Sequence, residues 1–156
     1  MTGVCSCRAS GLRSQPWLIT LVVGLTFLAN PVLAQEVQLA GKGSQLRAEL
    51  LDAARPVFVA ETGGPIEFVV KRLAVLGAWA FGDVELRRPG GQPIDWTQTK
   101  FVSALKDDMF TPGTAFFLLR NTNGAWSVAE FVVGPTDVTW DWWRQRYGIP
   151  QALFWE

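Results

Sequence analysis

The sequence predicts an α+β fold in which an N-terminal helix packs on a curled, four-stranded antiparallel sheet, followed by a short C-terminal helix. Three observations lead to this prediction. Apolar residues recur at helical spacing over residues 45–61, and the period changes to two between residues 65 and 133. Asn123-Gly124 between two apolar runs is a strong hairpin signal. One long helix followed by strands that pair with their neighbours is most economically arranged as two layers.

Residues 1–34 have the features of a secretory signal peptide. Two arginines precede the apolar run of residues 17–29, and the run is followed by Val-Leu-Ala, which satisfies the small-residue rule for cleavage. We therefore expect cleavage between Ala34 and Gln35 and a periplasmic or secreted mature protein. The alternative is an uncleaved anchor, although the apolar run is shorter than the ~20 residues that span a bilayer.

The predicted mature chain contains neither cysteine nor histidine. Cys5 and Cys7 both precede the apolar run, and the sequence has no histidine. Zinc sites built from these ligands and nucleophile–base pairs that depend on them are therefore excluded. The glycine-rich phosphate loop and the calcium-loop motif do not occur in the sequence either. We accordingly expect no metal and no cofactor, and a non-enzymatic role is favoured.

Charge and length limit the possible partners. Loss of residues 1–34 removes two arginines and no acidic residue, so the formal charge changes from +0 to −2. This balance gives no electrostatic signature of nucleic-acid binding and no polybasic patch for a membrane surface. The 122 residues that remain suit one domain. The expected partner is a protein or another cell-envelope component, with no nucleic acid and no membrane after cleavage.

The first helix follows a short N-terminal segment. Residues 35–43 are predicted to be a flexible lead-in to a single domain over residues 44–156. Ser44 is the expected N-cap, and a Thr-Gly-Gly run after residue 61 ends the helix. Pro56 should kink or split it, because proline lacks the backbone N–H that a helix interior requires. The predicted apolar stripe consists of Leu46, Leu50, Ala53 and Val57.

Four strands are predicted after the helix. They cover residues 65–76, 79–88, 114–120 and 125–133, and an irregular or helical crossover separates the two pairs. Gly82 inside the second strand suggests a bulge or bend. Strict alternation in the last strand would put Trp126 and Glu130 on one face and Phe131 on the other.

The C-terminal helix is predicted over residues 138–147, "VTWDWWRQRY". At 100° per residue, one stripe should anchor this helix to the sheet, and it consists of Trp140, Trp143 and Tyr147. Trp142 points roughly the opposite way. It either packs against the tail of residues 152–156 or faces a partner, since tryptophan is favoured in interfaces. Trp142 is therefore the main candidate binding residue.

A second candidate lies in the loop after the second strand. Asp95 could bond a sugar hydroxyl while the indole of Trp96 stacks on the ring; alternatively, Asp95 caps the next segment and Trp96 covers the edge of the core. Arg87 and Arg88 form a small positive spot on the surface. Such a spot is usually solvated and does not bind a ligand. The loop of residues 88–93 would enter an active site if the chain were an inhibitor of a secreted hydrolase.

Charged residues in the strands provide a third set of candidates. Asp83 and Glu85 share a strand face, where they could form an acid–base pair of the kind used in glycoside hydrolysis, or a solvated face balanced by Arg87. Lys71 and Arg72 are adjacent, so one of them should face the covered side unless the strand bends there. A carboxylate-only enzyme with a pocket between helix and sheet is the alternative function that these residues suggest.

Three segments resemble a family of small secreted bacterial proteins of unknown function. They are "GAWAF" (77–81), "RPGGQPIDW" (88–96) and "GPTDVTWDWWRQRYGIPQALF" (134–154), and the last of these contains the pattern GPTDVxWxxWxxxY. The resemblance implies no activity and no catalytic residues. The order of elements over residues 44–133 also resembles the cystatin-like and NTF2-like folds. The leading prediction is a secreted or periplasmic non-enzymatic binding domain of unknown partner.

Overall fold

The structure is a computed structural model and describes residues 36–155, so the expected signal peptide and its cleavage site lie outside the described residues. The predicted α+β class is confirmed. The elements are β1 (Gln38–Leu39), α1 (Gln45–Thr62), β2 (Glu67–Leu76), β3 (Trp79–Arg87), α2 (Val102–Lys106), β4 (Thr114–Thr122), β5 (Ala125–Val133) and α3 (Thr139–Tyr147). The strands form one open sheet in the order β1-β2-β3-β4-β5, and every neighbouring pair is antiparallel.

The sheet therefore has five strands and not the predicted four. The additional strand, β1, lies within the segment expected to be a flexible lead-in. Its two residues pair with β2, Gln38 opposite Val75 and Leu39 opposite Ala74. A two-residue strand is too short to produce an alternating pattern, and for this reason the sequence does not reveal it.

Helix α1 has the predicted ends. The Ser44 hydroxyl accepts a hydrogen bond from the backbone N–H of Arg47 (3.2 Å), and Gly63 ends the helix in the left-handed conformation at φ +70°. Pro56 was expected to kink or split the helix; the split does not occur, and the helix runs as one element from Gln45 to Thr62. Pro56 is exposed, so water can hydrogen-bond the carbonyl that the proline leaves without a donor.

Helix α1 packs on one face of the sheet. Its buried residues are spaced four apart and are Leu50, Ala54, Phe58 and Thr62. Leu50 was predicted to be buried, but Ala54 and Phe58 occupy the positions in the stripe that were predicted for Ala53 and Val57. The Phe58 ring meets Phe68, Phe117 and Phe131 at centroid distances of 5.6, 6.1 and 5.8 Å. Side chains therefore fill the space between α1 and the sheet.

The other face of the sheet is covered by α3 and the C-terminal tail, which gives three layers where two were predicted. Trp143 is buried in this second core, and Trp140 stacks on Phe154 with ring centroids 5.5 Å apart. Tyr147 packs against Trp79 at 5.0 Å. The predicted anchoring of α3 through its aromatic stripe is confirmed.

Two bulges interrupt the alternation of the strands, and neither is at Gly82. In the first bulge, Lys71 of β2 has no paired residue on β3. In the second, Ala129 of β5 has no paired residue on β4. The second bulge moves Trp126 onto the α1 face, while Glu130 faces α3, so the strict alternation predicted for β5 is wrong. Between Glu36 and Trp155, no helix has the length and apolar character needed to cross a membrane.

Candidate functional site

The outer face of α3 carries the candidate residue Trp142. The side chain of Trp142 is 64% exposed, whereas its neighbour Trp143 is 3% exposed. The tail does not cover Trp142 as one prediction allowed, because its aromatic residues Phe154 and Trp155 pack on Trp140 instead. An indole in this position presents a large apolar surface to the solvent.

Helix α3 is held firmly beneath that exposed indole. The Tyr147 hydroxyl donates to Glu130 of β5 at 2.7 Å, and Arg146 forms an ion pair with the same carboxylate at 3.0 Å. On the helix itself, Arg144 donates to Asp141 at 2.8 Å, a contact that the i,i+3 spacing allows. These contacts fix the direction in which Trp142 projects.

The two arginines of the predicted positive spot have different roles. Arg88 donates to the backbone carbonyl of Thr62 (2.8 Å), the last residue of α1, and to that of Pro65 (3.1 Å), at the helix end where the dipole favours a cation. Arg87 forms an ion pair with Glu85 at 2.7 Å and donates to the carbonyl of Gly91 within the loop at 3.2 Å. Arg88 therefore fastens the loop to α1 and is not presented to a ligand.

The loop of residues 88–93 is also fixed through its backbone. The carboxylate of Glu67 accepts hydrogen bonds from the N–H groups of Gly90 (3.0 Å) and Gly91 (3.1 Å). Both glycines have positive φ, a conformation that most other residues avoid. The loop is exposed, but two of its backbone donors are already occupied.

Asp95 and Trp96 have the second of the two roles predicted for them: Asp95 caps the next segment and Trp96 packs at the edge of the core. Asp95 caps a short 3-10 turn by accepting from the N–H and hydroxyl of Thr97, at 3.0 and 2.6 Å. The indole of Trp96 is buried against Phe101 and Phe110, with ring centroids 6.0 and 4.9 Å away. The ring is therefore occupied by the core and is not exposed for stacking on a sugar.

A small cavity of about 200 Å³ lies beside this loop. Its lining includes Glu85, Arg87 and Trp96. The cavity thus brings Arg87 and Trp96, two predicted binding residues, next to Glu85, one of the two predicted acid–base carboxylates. The polar groups of Glu85 and Arg87 already neutralise each other, so this cavity offers little to a charged ligand.

Of the solvated face predicted for Asp83 and Glu85, the balance of Glu85 by Arg87 is found, but the prediction is wrong for Asp83. Asp83 is only 7% exposed, because the tail covers this face of the sheet, and its Oδ1 atom has no hydrogen-bond partner among the described residues. Burial raises the pKa of the Asp83 carboxyl, and the positive charge of Lys71 opposes this effect. Asp83 does not line either of the two cavities described for this part of the chain.

A second, larger cleft was not foreseen from the sequence. It has a volume of about 440 Å³ and lies where β1 and the start of α1 meet β2 and the tail. Its cationic lining residues are Lys42, Arg47, Lys71 and Arg72, and Trp155 contributes from the tail. The bulge at Lys71 explains how neighbouring cations avoid the helix–sheet core: Lys71 is exposed and Arg72 faces the tail. The only signal in the sequence was the Lys-Arg interruption of an apolar strand.

None of the ion pairs found between residues 36 and 155 includes these four cations, although the charge of Lys71 also acts on the buried carboxyl of Asp83. Two buried donors also lack partners among those residues, Nε of Arg72 and Nε1 of Trp155. A buried donor without an acceptor costs about 1–3 kcal/mol. The cleft therefore combines positive charge with unused hydrogen-bonding capacity.

Comparison of the chain with protein-family models, curated proteins and solved structures gives no match. The resemblance to a family of small secreted proteins and the likeness in element order to cystatin-like and NTF2-like folds accordingly stay predictions.

Proposed function

We propose that the chain is a secreted or periplasmic, non-enzymatic domain that binds a protein or another cell-envelope component. The observation that carries this proposal is the exposure of Trp142 on a helix whose other tryptophans are buried or half-buried. Tryptophan is among the residues most often found at the energetic centre of protein interfaces. The signal-like N-terminal sequence supports the location.

The way α3 is anchored supports a role in binding. Trp142 projects from a helix that is fixed by Trp143 in the core and by the bonds from Tyr147 and Arg146 to Glu130. A side chain that projects from a preordered helix binds at a lower cost in conformational entropy than one on a mobile segment, which favours affinity. Val138, at the start of the helix, is 63% exposed and adds apolar surface near that end.

The two alternative functions have less support. A pocket between helix and sheet for a carboxylate-only enzyme is opposed by the rings of Phe58 and Phe117, which occupy that space. An inhibitor that inserts residues 88–93 into an active site is opposed by Glu67, which engages two backbone donors of the loop. These contacts favour a binding domain that works through another surface.

Affinity capture with matched variants tests the proposal. The mature chain, Trp142→Ala and Met109→Ala are immobilised and exposed to the periplasmic and secreted fractions of the native host, and captured proteins are quantified by mass spectrometry. Met109 is the control because it is 66% exposed and lies in the loop after α2, away from helix α3. A captured partner is then purified and its affinity for each variant is measured.

The expected result is a partner that binds the wild type and Met109→Ala but binds Trp142→Ala at least about tenfold more weakly, as for an interface hot spot. Equal affinity of all three chains for every captured partner would remove Trp142 from the function. The experiment leaves the fold intact, because an exposed side chain contributes little to stability.

A further inference from the structure

We propose that the cleft formed by β1, the start of α1, β2 and the tail binds a phosphate ester. This site is separate from Trp142, which does not line it. It therefore does not depend on the function proposed above. The inference is based on four cationic side chains, an adjoining apolar wall and two buried donors that have no acceptor within residues 36–155.

The charge of the cleft is its first recognisable property. The four cations at the cleft are Lys42, Arg47, Lys71 and Arg72, and no acidic residue between positions 36 and 155 lines it. The mature sequence as a whole has a formal charge of −2, so this concentration of positive charge is not a general feature of the surface. Like charges gathered in one place repel one another, and a multiply charged anion relieves that repulsion better than a single carboxylate.

The two arginines are oriented without being neutralised. Arg47 donates to the backbone carbonyl of Ala40 at 3.3 Å, and Arg72 donates to that of Ala152 at 3.2 Å. A carbonyl holds a guanidinium in position but leaves its full charge available. Guanidinium groups held in this way suit phosphate, whose oxygens accept from arginine in a planar, often bidentate arrangement.

The unused donors lie at the same cleft. Arg72 Nε and Trp155 Nε1 are buried N–H groups without acceptors among the described residues, and both residues line the cleft. Both are donors only, so they call for an acceptor and not for a cation. Phosphate oxygens, or water molecules bound with the phosphate, would satisfy them.

The remaining walls indicate that the phosphate is attached to an organic group. Leu39, Val70 and Leu73 line the cleft together with the indole of Trp155. Its volume of about 440 Å³ is in the range of small-ligand sites, but the cleft is open to solvent. A free phosphate ester and the headgroup of an anionic lipid share this chemistry, and the experiment below separates them.

Binding is measured by calorimetry at low salt with glycerol 3-phosphate as the probe. We expect binding by the wild type and a loss of affinity of about tenfold or more in Arg72→Gln and Lys71→Gln, because charge-assisted hydrogen bonds to phosphate are strong. Lys106→Gln is the matched control: it removes the same charge from an exposed position on α2 that is outside the cleft. Trp155→Phe keeps a ring but removes its N–H and should weaken binding as well.

Vesicle sedimentation with the same variants distinguishes the two sources of the phosphate. Vesicles of phosphatidylcholine alone are compared with vesicles that also contain phosphatidylglycerol. Binding of the anionic vesicles that is lost in Lys71→Gln and kept in Lys106→Gln assigns a lipid headgroup, whereas the same pattern for glycerol 3-phosphate alone assigns a free ester. The proposal is overturned if neither probe binds, or if both lysine variants bind as the wild type does. Lys71 is exposed, so its replacement removes a cation from the site with little loss of packing, and urea denaturation of Lys71→Gln checks that the fold is kept despite the nearby Asp83.

Discussion

The ring of Phe117 lies against the backbone of Gly82 in the neighbouring strand, so closely that a Cβ built on Gly82 falls 2.1 Å from Phe117 Cζ. The two residues are direct partners in the pairing of β3 with β4, and they face α1. Phe117 is fully buried, and its ring also meets Phe58 of the helix. Gly82 thus provides the space that lets the central aromatic cluster form beneath α1.

Gly82→Ala should therefore destabilise the protein strongly. The added methyl group overlaps the Phe117 ring, and a packed core accommodates extra volume only by moving side chains or backbone. We expect a loss of about 1–3 kcal/mol or more in the free energy of unfolding, measured by urea denaturation. Combining Gly82→Ala with Phe117→Leu should recover part of the lost stability, since the smaller leucine side chain removes the clash.

Gly41→Ala is the control for that experiment. A Cβ at Gly41 meets nothing within 4 Å, and its φ is not in the left-handed region. The free energy of unfolding should change by no more than about 0.5 kcal/mol. An equal loss at both glycines would contradict the steric explanation.

Periodicity was sufficient to predict the α+β class, α1, four of the strands and the buried stripe of α3, because each covers several turns or alternations. It failed where a strand departs from regular pairing. Lys71 and Ala129 form bulges although neither is a residue type that signals one, and their position depends on how the whole sheet pairs. Gly82 was predicted to mark a bulge or bend, but its lack of a side chain instead leaves space for the Phe117 ring of the neighbouring strand.

The candidate sites were predictable to different degrees. Trp142 follows from one helix and its angular spacing, which are local properties. The basic cleft combines residues from positions as distant as Lys42, Arg72 and Trp155, and they come together only because the two-residue strand β1 pairs with β2 and the tail folds back. Long-range pairing of this kind leaves no local pattern in the sequence.

Arg88→Ala should destabilise the fold because Arg88 satisfies carbonyl groups at the end of α1. Its guanidinium donates to Thr62 at 2.8 Å and to Pro65 at 3.1 Å in a partly buried position. Loss of both charge-assisted bonds should lower the free energy of unfolding by about 1–2 kcal/mol, which urea denaturation can measure.

Arg87→Ala provides the comparison for Arg88. Arg87 also carries a positive charge, but it forms an ion pair with Glu85 in which about a third of each side chain is exposed, and its bond to the carbonyl of Gly91 (3.2 Å) is exposed as well. Such pairs contribute about 0–1 kcal/mol, so the variant should be close to the wild type. If Arg87→Ala proves as damaging as Arg88→Ala, the assignment of Arg88 to the end of α1 is wrong.

Adjacent tryptophans of α3 should respond very differently to truncation. Trp143 is 3% exposed in the core between α3 and the sheet, and Trp143→Ala should cost about 3–5 kcal/mol by loss of buried surface and creation of a cavity. Trp142 is 64% exposed, so Trp142→Ala should change stability by about 0.5 kcal/mol or less. Thermal unfolding of the two variants measures the difference. A large loss in Trp142→Ala would mean that this indole is structural.

Asp83 should make the protein less stable as the pH rises through the acidic range. Its pKa is raised in the folded state by burial, so the folded protein binds the proton more tightly than the unfolded chain does. The favourable contribution is fully present below the unfolded value of 3.8 and is lost as the pH rises through the folded value. Neutral Asn removes this loss, so Asp83→Asn should be more stable than the wild type at pH 7 by on the order of 1 kcal/mol. Unfolding curves at several pH values test this, and a gain that does not diminish in acid would contradict the mechanism.

Tyr147 should ionise above its ordinary value of 10.0, and its titration can be followed cleanly because it is the only tyrosine in the chain. Its hydroxyl donates to Glu130, and this bond, together with burial and the charge of Glu130, raises the pKa of the phenol. Ultraviolet absorbance of the phenolate measures the pKa directly. Glu130→Gln should lower the pKa of Tyr147 toward the ordinary value, since the amide is a weaker acceptor without charge.

Arg146→Gln should shift the same titration in the opposite direction. Arg146 forms an ion pair with Glu130 at 3.0 Å, and its positive charge lowers the pKa of Tyr147. Without it the phenolate is less stable and Glu130 is free to accept more strongly from the hydroxyl, so the pKa of Tyr147 should rise above that of the wild type. Shifts of the same sign in Glu130→Gln and Arg146→Gln would show that the three side chains do not form the network by which β5 holds α3 in place.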